Sequence, residues 1–335
     1  MKVYLDAMGG DNAPKEIIKG AIEAKAEKGY EIILVGKEDV IKEELKNLGK
    51  DPKSFEILNA TETIDMHDDP IKAVRSKRDS SIVVGCRAIK GNDEAVFVSA
   101  GSTGAILAGA SLFTGRIKGT KRPALGVVLQ GLEKPVLMMD NGANIECKPE
   151  HLLEFAKIGS LYMKNVYGIK EPTVGLANNG TEESKGSPLY KEANALLREK
   201  LPNFIGNVEM KQLFFGEADV IVCDGFTGNM ILKTVEGSLT FAVKVLKGVL
   251  KKSPKNMLAA ALIKNDITQA FSGFDPSATG GAPLFGIDGI VFKAHGSSDS
   301  VAIKNAIIKA AEFHASGFMA EARECFAAKD EAVEE

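Results

Sequence analysis

An α/β fold built on a mostly parallel sheet is what this sequence predicts, on three observations. Short apolar, β-branched runs recur along the chain, helical stretches alternate with many of them, and polar glycine-rich turns follow most of the runs. The runs are KVYLDA, EIILVG, FEILNA, AVFVSA, LGVVLQ, PVLMMD, TVGLAN, VIVCDG and GIVFKAHG. Most are apolar nearly throughout, as expected of strands covered on both faces. Between many of them lie helical segments at 15–28, 39–48, 149–167, 189–201 and 298–327. That is the strand-helix alternation of a parallel sheet.

The 335 residues are 44% hydrophobic and 26% charged with 34 Gly and no Trp, a composition that excludes disordered and collagenous chains. No fixed-period repeat or Ser/Pro linker divides them. Residues 1–327 are expected to form one domain of two intertwined lobes, and the acidic stretch 328–335 a frayed tail. With 42 Lys+Arg against 45 Asp+Glu, the net charge of -3 offers no positive field to collect nucleic acid. Four scattered cysteines without a CxxC pair argue against disulfides and a cysteine-built zinc site. The opening MKVYLDAMGGD is broken too early by Asp6 to read as a signal peptide, so a cytoplasmic protein is expected. The uncharged stretch 95–115 has membrane-span length but carries SAGSTG near its middle; it reads as buried strand, turn and buried helix.

Chemistry collects after the strands: DAMGGDNAP, SAGSTG, DNGAN, NNGTEESKG, CDGFTGN and AHGSSD each follow one. In open α/β sheets ligands bind at carboxyl ends of strands, where loops converge and helix N-termini point, so one shared site is expected. Candidate substrate contacts fall at Asp6, Gly9 and Gly10; at Ser99, Gly101, Ser102, Thr103 and Gly104; and at Asn144. Others are Asp224, Gly225, Thr227 and Gly228, then His295, Gly296 and Ser297. SAGSTG runs into the apolar helix AILAGASLF, whose free N–H groups favour an anion. A phosphate seat is the reading, a plain Ser/Thr N-cap the alternative. CDGFTGN repeats the arrangement, and two such turns suit phosphate or a developing oxyanion. The chain lacks GxxxxGK[ST], and no GxGxxG follows a strand with an acid about twenty residues on, so kinase and NAD readings lose support.

Lys185 is placed to reach an anionic oxygen or else to sit in solvent. Asn229 is placed to donate toward an oxyanion or else to cap its own turn. His295 is the histidine set in a polar glycine loop, whereas His67, His151 and His314 read as loop or helix-surface residues. Cys223 reads as a buried thiol. Asp6, Asp11, Asp140 and Asp224 all fall at strand ends, but loop aspartates more often cap turns, and no metal site is assigned. In the segment 249–271, Met257, Leu258, Ala261 and Leu262 lie among lysines, as at a subunit contact or a tip resting on an anionic membrane.

Taken in order, DAMGGDNAP (6–14), SAGSTGA (99–105), GRIKGTKRPA (115–124), DNGAN (140–144), KPEHL (148–152), GTEESKG (180–186), NFIGNVE (203–209), DGFTGN (224–229) and KAHGSSD (293–299) resemble the PlsX family of phosphate acyltransferases. The loop FDPSATGGA (274–282), poor in hydrophobic residues, is a small departure. The resemblance implies transfer of a fatty acyl group from acyl carrier protein to inorganic phosphate. The acyl phosphate would pass to a membrane glycerol-3-phosphate acyltransferase for phospholipid synthesis. It also implies a three-layer α/β/α fold like isocitrate and isopropylmalate dehydrogenases, a homodimer, peripheral membrane association, no cofactor, and catalytic roles for Lys185 and Asn229. An acidic carrier protein needs a local basic patch, and Arg116, Lys118, Lys121 and Arg122 supply one, with Lys72, Arg75, Lys77 and Arg78 as a second, a solvated helix face being the alternative for either. A short-chain acyltransferase using coenzyme A, a metal-dependent decarboxylating dehydrogenase and a non-catalytic membrane scaffold are the competing readings.

Overall fold

A computed structural model describes residues 1–266 and 280–331. Its strands are β1 (Lys2–Asp6), β2 (Glu31–Gly36), β3 (Glu56–Asn59), β4 (Ala95–Ser99), β5 (Ala124–Gln130), β6 (Pro135–Met139), β7 (Val174–Asn178), β8 (Phe204–Glu209), β9 (Val220–Val222), β10 (Ala282–Phe285) and β11 (Ile290–Lys293). The helices are α1 (Lys15–Lys28), α2 (Glu38–Asn47), α3 (Pro70–Ser76), α4 (Ser81–Ala88), α5 (Thr103–Gly109), α6 (Pro149–Tyr167), α7 (Pro188–Lys200), α8 (Gly225–Leu250), α9 (Pro254–Leu262), α10 (Ser300–Ala315) and α11 (Phe318–Glu331). The α/β class holds. The reading of 298–327 as one helix is corrected to two, because Gly317 adopts φ 73° and turns the chain between α10 and α11. Helix α11 reaches Glu331, and residues 332–335 lie outside the described residues, as does most of the loop 274–282.

The described strands form one sheet in the order β3-β2-β1-β4-β11-β10-β5-β6-β9-β7-β8. Pairings within β3-β2-β1-β4-β11 and within β6-β9-β7-β8 are parallel, while β11-β10, β10-β5 and β5-β6 are antiparallel. These three reversals make the two halves run in opposite directions. Their carboxyl ends are therefore two edges rather than the single edge expected from the sequence.

Register brings the two edges together. Lys293 of β11 lies opposite Ala282 of β10, Leu284 of β10 opposite Leu125 of β5, and Gly126 of β5 opposite Met139 of β6. Counting along β10 and β5, β6 ends level with Pro283, about one residue or ~3.3 Å from the level at which β11 ends. The carboxyl ends of the halves thus overlap at the middle of the sheet.

One core runs through both halves and includes Leu5, Val98, Leu137, Phe155, Val222 and Phe292. A second fills the space between the first half and helices α3 to α5, with Val74, Ile82, Val83, Phe97, Ile106 and Val291. Side chains alternate faces along a strand, so Phe97 and Val291 place Ser99 and Lys293 on the second-core face. Asp6, two residues beyond Tyr4, which packs on that same core, falls there too. The stretch 95–115 resolves into β4, a turn, α5 and a wider π-helical turn (Ala110–Thr114). No helix among the described residues is long and apolar enough to cross a membrane.

Candidate active site

In the first half the site is framed from Asp6, which is fully buried. Ser99 Oγ donates to Asp6 Oδ2 at 2.6 Å, the Met8 amide donates to Oδ1 at 3.1 Å, and the Gly101 amide donates to Ser99 Oγ at 3.0 Å. Burial pushes the Asp6 carboxyl above its ordinary pKa, partly offset by the Ser99 and Ser81 hydroxyls. The loops after β1, β4 and β11 are pressed backbone to backbone. Gly10, at φ 103°, has Ala100 Cβ and the Gly296 carbonyl each 3.0 Å from where a Cβ would stand, and a Cβ at Gly9 would lie 2.8 Å from the Gly101 amide. The Asp11 amide donates to the Gly296 carbonyl at 2.8 Å, and Asn12 Nδ2 donates to the carbonyls of Ser297 and Ser298 at 3.1 and 3.2 Å.

Ser102 occupies the N-cap position of α5 yet makes no side-chain capping bond. Thr103 begins the helix, and Gly104 packs against Pro70. His295 is exposed, with Nδ1 2.8 Å from Ser297 Oγ. Its pKa is lowered by desolvation first, then by the cations Lys293 and Lys233. Since Lys233 belongs to α8, that helix, which starts in the second half, carries charge to the loop after β11.

Asp140 plays the framing role in the second half. Its Oδ1 accepts the amides of Leu125 at 3.0 Å and Ala143 at 3.1 Å; its Oδ2 accepts the Asn144 amide at 2.7 Å and Asn144 Nδ2 at 2.9 Å. Burial raises its pKa as well. Asn144 spends the same amide nitrogen on the Pro123 carbonyl at 2.7 Å, so its side chain braces the loop. Asp224 caps α8 through the Thr227 amide at 2.9 Å and also accepts Thr227 Oγ1 at 2.7 Å and the Tyr190 hydroxyl at 2.6 Å. Gly225 and Gly228 let this turn close on the Asp140 loop: a Cβ at Gly225 would meet the Asn144 amide at 2.9 Å, and one at Gly228 would strike the Asp140 carbonyl oxygen.

With Asp224 as the cap, Asn229 is not capping its own turn; it is exposed beside Gly142. Lys185 sits on the loop between β7 and α7 with Nζ 4.0 Å from Glu182 Oε1, its carbonyl accepting Asn178 Nδ2 at 3.3 Å. Its hydrogen bonds and ion pair among the described residues stay within that loop region, and none joins it to Asn229. Cys223 is fully buried, and burial with the neighbouring Asp140 and Asp224 holds its thiol far above the ordinary range. The four strand-end aspartates do not gather, and no group of three or more His, Cys, Asp or Glu among the described residues is arranged to hold a metal ion. His151 corrects its surface reading: it is buried in the first turn of α6, where Nδ1 accepts the Lys148 amide at 3.2 Å.

Arg116, Lys118, Lys121 and Arg122 are all exposed on the approach to β5, with Arg116 Nη1 donating to the Lys121 carbonyl. Met257, Leu258, Ala261 and Leu262 are exposed on α9, which folds back beside the end of α8; Phe271 of the same stretch lies outside the described residues. Sequence reading passed over Tyr190, Lys233 and Lys293, although Lys293 stands inside the quoted string KAHGSSD.

The fold and its two facing loop clusters define a class of α/β enzymes. A phosphotransacetylase from Streptococcus pyogenes superposes with TM-score 0.59 at 18% identity, covering 95% of this chain and 94% of its own. A 4-hydroxythreonine-4-phosphate dehydrogenase from Klebsiella pneumoniae superposes with TM-score 0.52 at 14% identity over 94% and 99%. At such identities the likeness is one of fold. Residues 1–321 match the model of the family described as "Fatty acid synthesis protein". Phosphate acyltransferases from Desulfitobacterium hafniense and Clostridium tetani are 46% and 44% identical to it, over 96% and 94% of each chain. The chain belongs to this family, the PlsX phosphate acyltransferases, and is an acyltransferase.

Proposed function

We propose that the protein transfers a fatty acyl group from acyl carrier protein to inorganic phosphate, feeding acyl phosphate to phospholipid synthesis. The observation that carries this is the meeting of two opposed carboxyl edges whose loops are internally braced while Ser102, Thr103 and Asn229 keep donors unspent on capping. A phosphate oxygen attacks the thioester carbonyl carbon and forms the C–O bond of a tetrahedral oxyanion. Collapse expels the thiolate, which takes a proton from solvent. Phosphate is anionic at neutral pH, so the protein's task is to hold it against the carbonyl and stabilise the oxyanion. Lys185 neutralises charge and Asn229 donates to the oxyanion. Burial of Cys223 speaks against an acyl-cysteine step.

The exposed basic group Arg116, Lys118, Lys121 and Arg122 suits an acidic carrier protein. Exposure along α8 and α9, including Phe241, Val249, Leu258 and Leu262, supports a homodimer contact and a tip resting on membrane.

The test is thiol release from a long-chain acyl carrier protein, with and without inorganic phosphate, for wild type, Lys185→Ala and Asn229→Ala. Phosphate-dependent release falling about 100-fold or more in both variants is expected. Release indifferent to phosphate marks a thioesterase, and release only from acyl-coenzyme A marks a short-chain enzyme.

A further inference from the structure

Asp6, Ser99 and Lys293 form a row across β1, β4 and β11. Leu5 pairs with Val98, which sets Asp6 beside Ser99, and Ser99 pairs with Lys293. All three face the second core and stand at the sheet's carboxyl edge, under the loops already described. Two members are bonded to each other through Ser99 Oγ and Asp6 Oδ2. Lys293 is half-buried and has no ion-pair partner among the described residues; its Nζ donates to the Ala294 carbonyl beside it. Ammonium groups so placed without a carboxylate are uncommon, since desolvation must be offset by an anion.

The groups facing Lys293 are few: Asp11 of the loop after β1, Lys233 of α8, and His295 of its own loop, with Glu236 also acting on His295. Asp11 is exposed and lies against Gly296, and Glu236 Oε2 is engaged by Lys233 at 2.8 Å. Lys233 stands four residues after Asn229, on the same face of α8. One helical face thus leads from the oxyanion donor proposed in the second half to Lys293 in the first.

We infer that Lys293 is a catalytic residue that, together with Lys233, holds the attacking phosphate on the first half of the sheet, leaving the thioester carbonyl to Asn229 and Lys185 on the second. This rests on the acyl-to-phosphate reading and divides the substrates between the two loop clusters. A compact ammonium is a common phosphate ligand, and a multiply charged anion offsets the repulsion that Lys233 exerts on Lys293.

Burial, with Lys233 adding to it and Asp11 opposing it, lowers the Lys293 pKa from 10.5 to about 8. Phosphate binds the protonated form, so affinity should fall as pH rises through about 8. The depressed pKa means that the free native state holds fewer protons than the unfolded chain between about 8 and 10.5, so this group's contribution to stability rises over the same window. Stability and phosphate affinity should therefore move oppositely with pH.

The experiment measures initial rates against phosphate and against acyl carrier protein substrate for wild type, Lys293→Met, Lys293→Arg and Lys233→Met. Calorimetric titration with inorganic phosphate alone and thermal melting of each variant accompany it. Lys293→Met should raise KM for phosphate roughly 10- to 100-fold, the loss of a charge-assisted bond, with the acyl donor KM changed less than about 2-fold. Lys293→Arg should recover part of the loss and abolish the break near pH 8, and Lys233→Met should raise phosphate KM to a smaller degree. Unchanged phosphate KM in Lys293→Met, or in Lys293→Arg and Lys233→Met should Lys293→Met fail to fold, overturns the inference; so does a fall in kcat alone. Absence of phosphate-dependent release in wild type would instead defeat the acyl-transfer reading, while calorimetry would still decide whether Lys293 binds phosphate.

Discussion

Asp6 in the first half accepts the Met8 amide but reaches the SAGSTG loop through the Ser99 hydroxyl, a group that can turn, whereas Asp140 in the second is held by four N–H donors, three of them backbone amides that cannot. Both carboxylates are buried strand-end groups accepting from the loop that follows, and both titrate above the ordinary range. A hydroxyl relay tolerates adjustment and suits a seat for a mobile anion. A set of fixed amides suits a turn that must aim donors at one point, since preorganised dipoles stabilise a developing oxyanion without reorganising during reaction.

The largest effect should come from the closest backbone approach in the second half. In Gly228→Ala the new methyl meets the Asp140 carbonyl, with Cys223 Sγ 3.0 Å away. Neither backbone nor buried sulfur can retreat, so a loss of about 3 kcal/mol or more is expected in urea unfolding. Gly237, on the same helix with nothing within 4 Å, is the control: Gly237→Ala should stabilise by up to about 1 kcal/mol. Equal responses at the two positions would show that α8 is not seated on the Asp140 loop.

Next in size are the aspartates. Asp140→Asn turns an NH2 toward N–H donors on one side and should cost about 2–4 kcal/mol, because no rotation restores two acceptors. Asp6→Asn should cost about 1 kcal/mol, since Ser99 can reverse its hydrogen bond. Raised native pKa values mean that the native state keeps these protons to higher pH than the unfolded chain, so ionisation costs stability as pH rises. The deficit of Asp140→Asn should therefore grow on acidification, where wild-type Asp140 regains the stability that its ionisation costs and the neutral Asn gains nothing. Equal costs for the two variants would erase the distinction between the halves.

Sequence carried the α/β class and most elements, because apolar runs and helical periodicity are local properties. It carried the strand-end loops for the same reason. What it missed depends on non-local pairing. The joining of the halves into one sheet rests on β10, a four-residue strand inserted between β11 and β5, whose partners lie far apart in sequence; its two antiparallel pairings cancel, and the antiparallel β5-β6 pairing then turns the second half the other way. β8 contains Gly206, next to a register irregularity at Val174 and Gly175 that weakens the apolar pattern. Lys293 reads as the polar end of a strand until its pairing with Ser99 shows which face it shares. His151 follows Pro149 and Glu150 and looks exposed, but the helix start turns it inward to accept the Lys148 amide.

The smallest predicted effect on stability is the one that separates the two readings of SAGSTG. A side chain that caps a helix is worth about 1 kcal/mol, as expected for Asp224, which accepts the Thr227 amide at 2.9 Å. Ser102 stands at the N-cap of α5 without making that bond, so Ser102→Ala should change stability by less than about 0.5 kcal/mol. A hydroxyl on the loop that follows Ser99 and spared from capping is available to substrate. Ser102→Ala should then raise KM for phosphate about 3- to 10-fold, the loss of one hydrogen bond, with the acyl donor KM unchanged. Melting loss near 1 kcal/mol with unaltered kinetics would make Ser102 a cap after all, and would move the phosphate seat from the loop to the lysines alone.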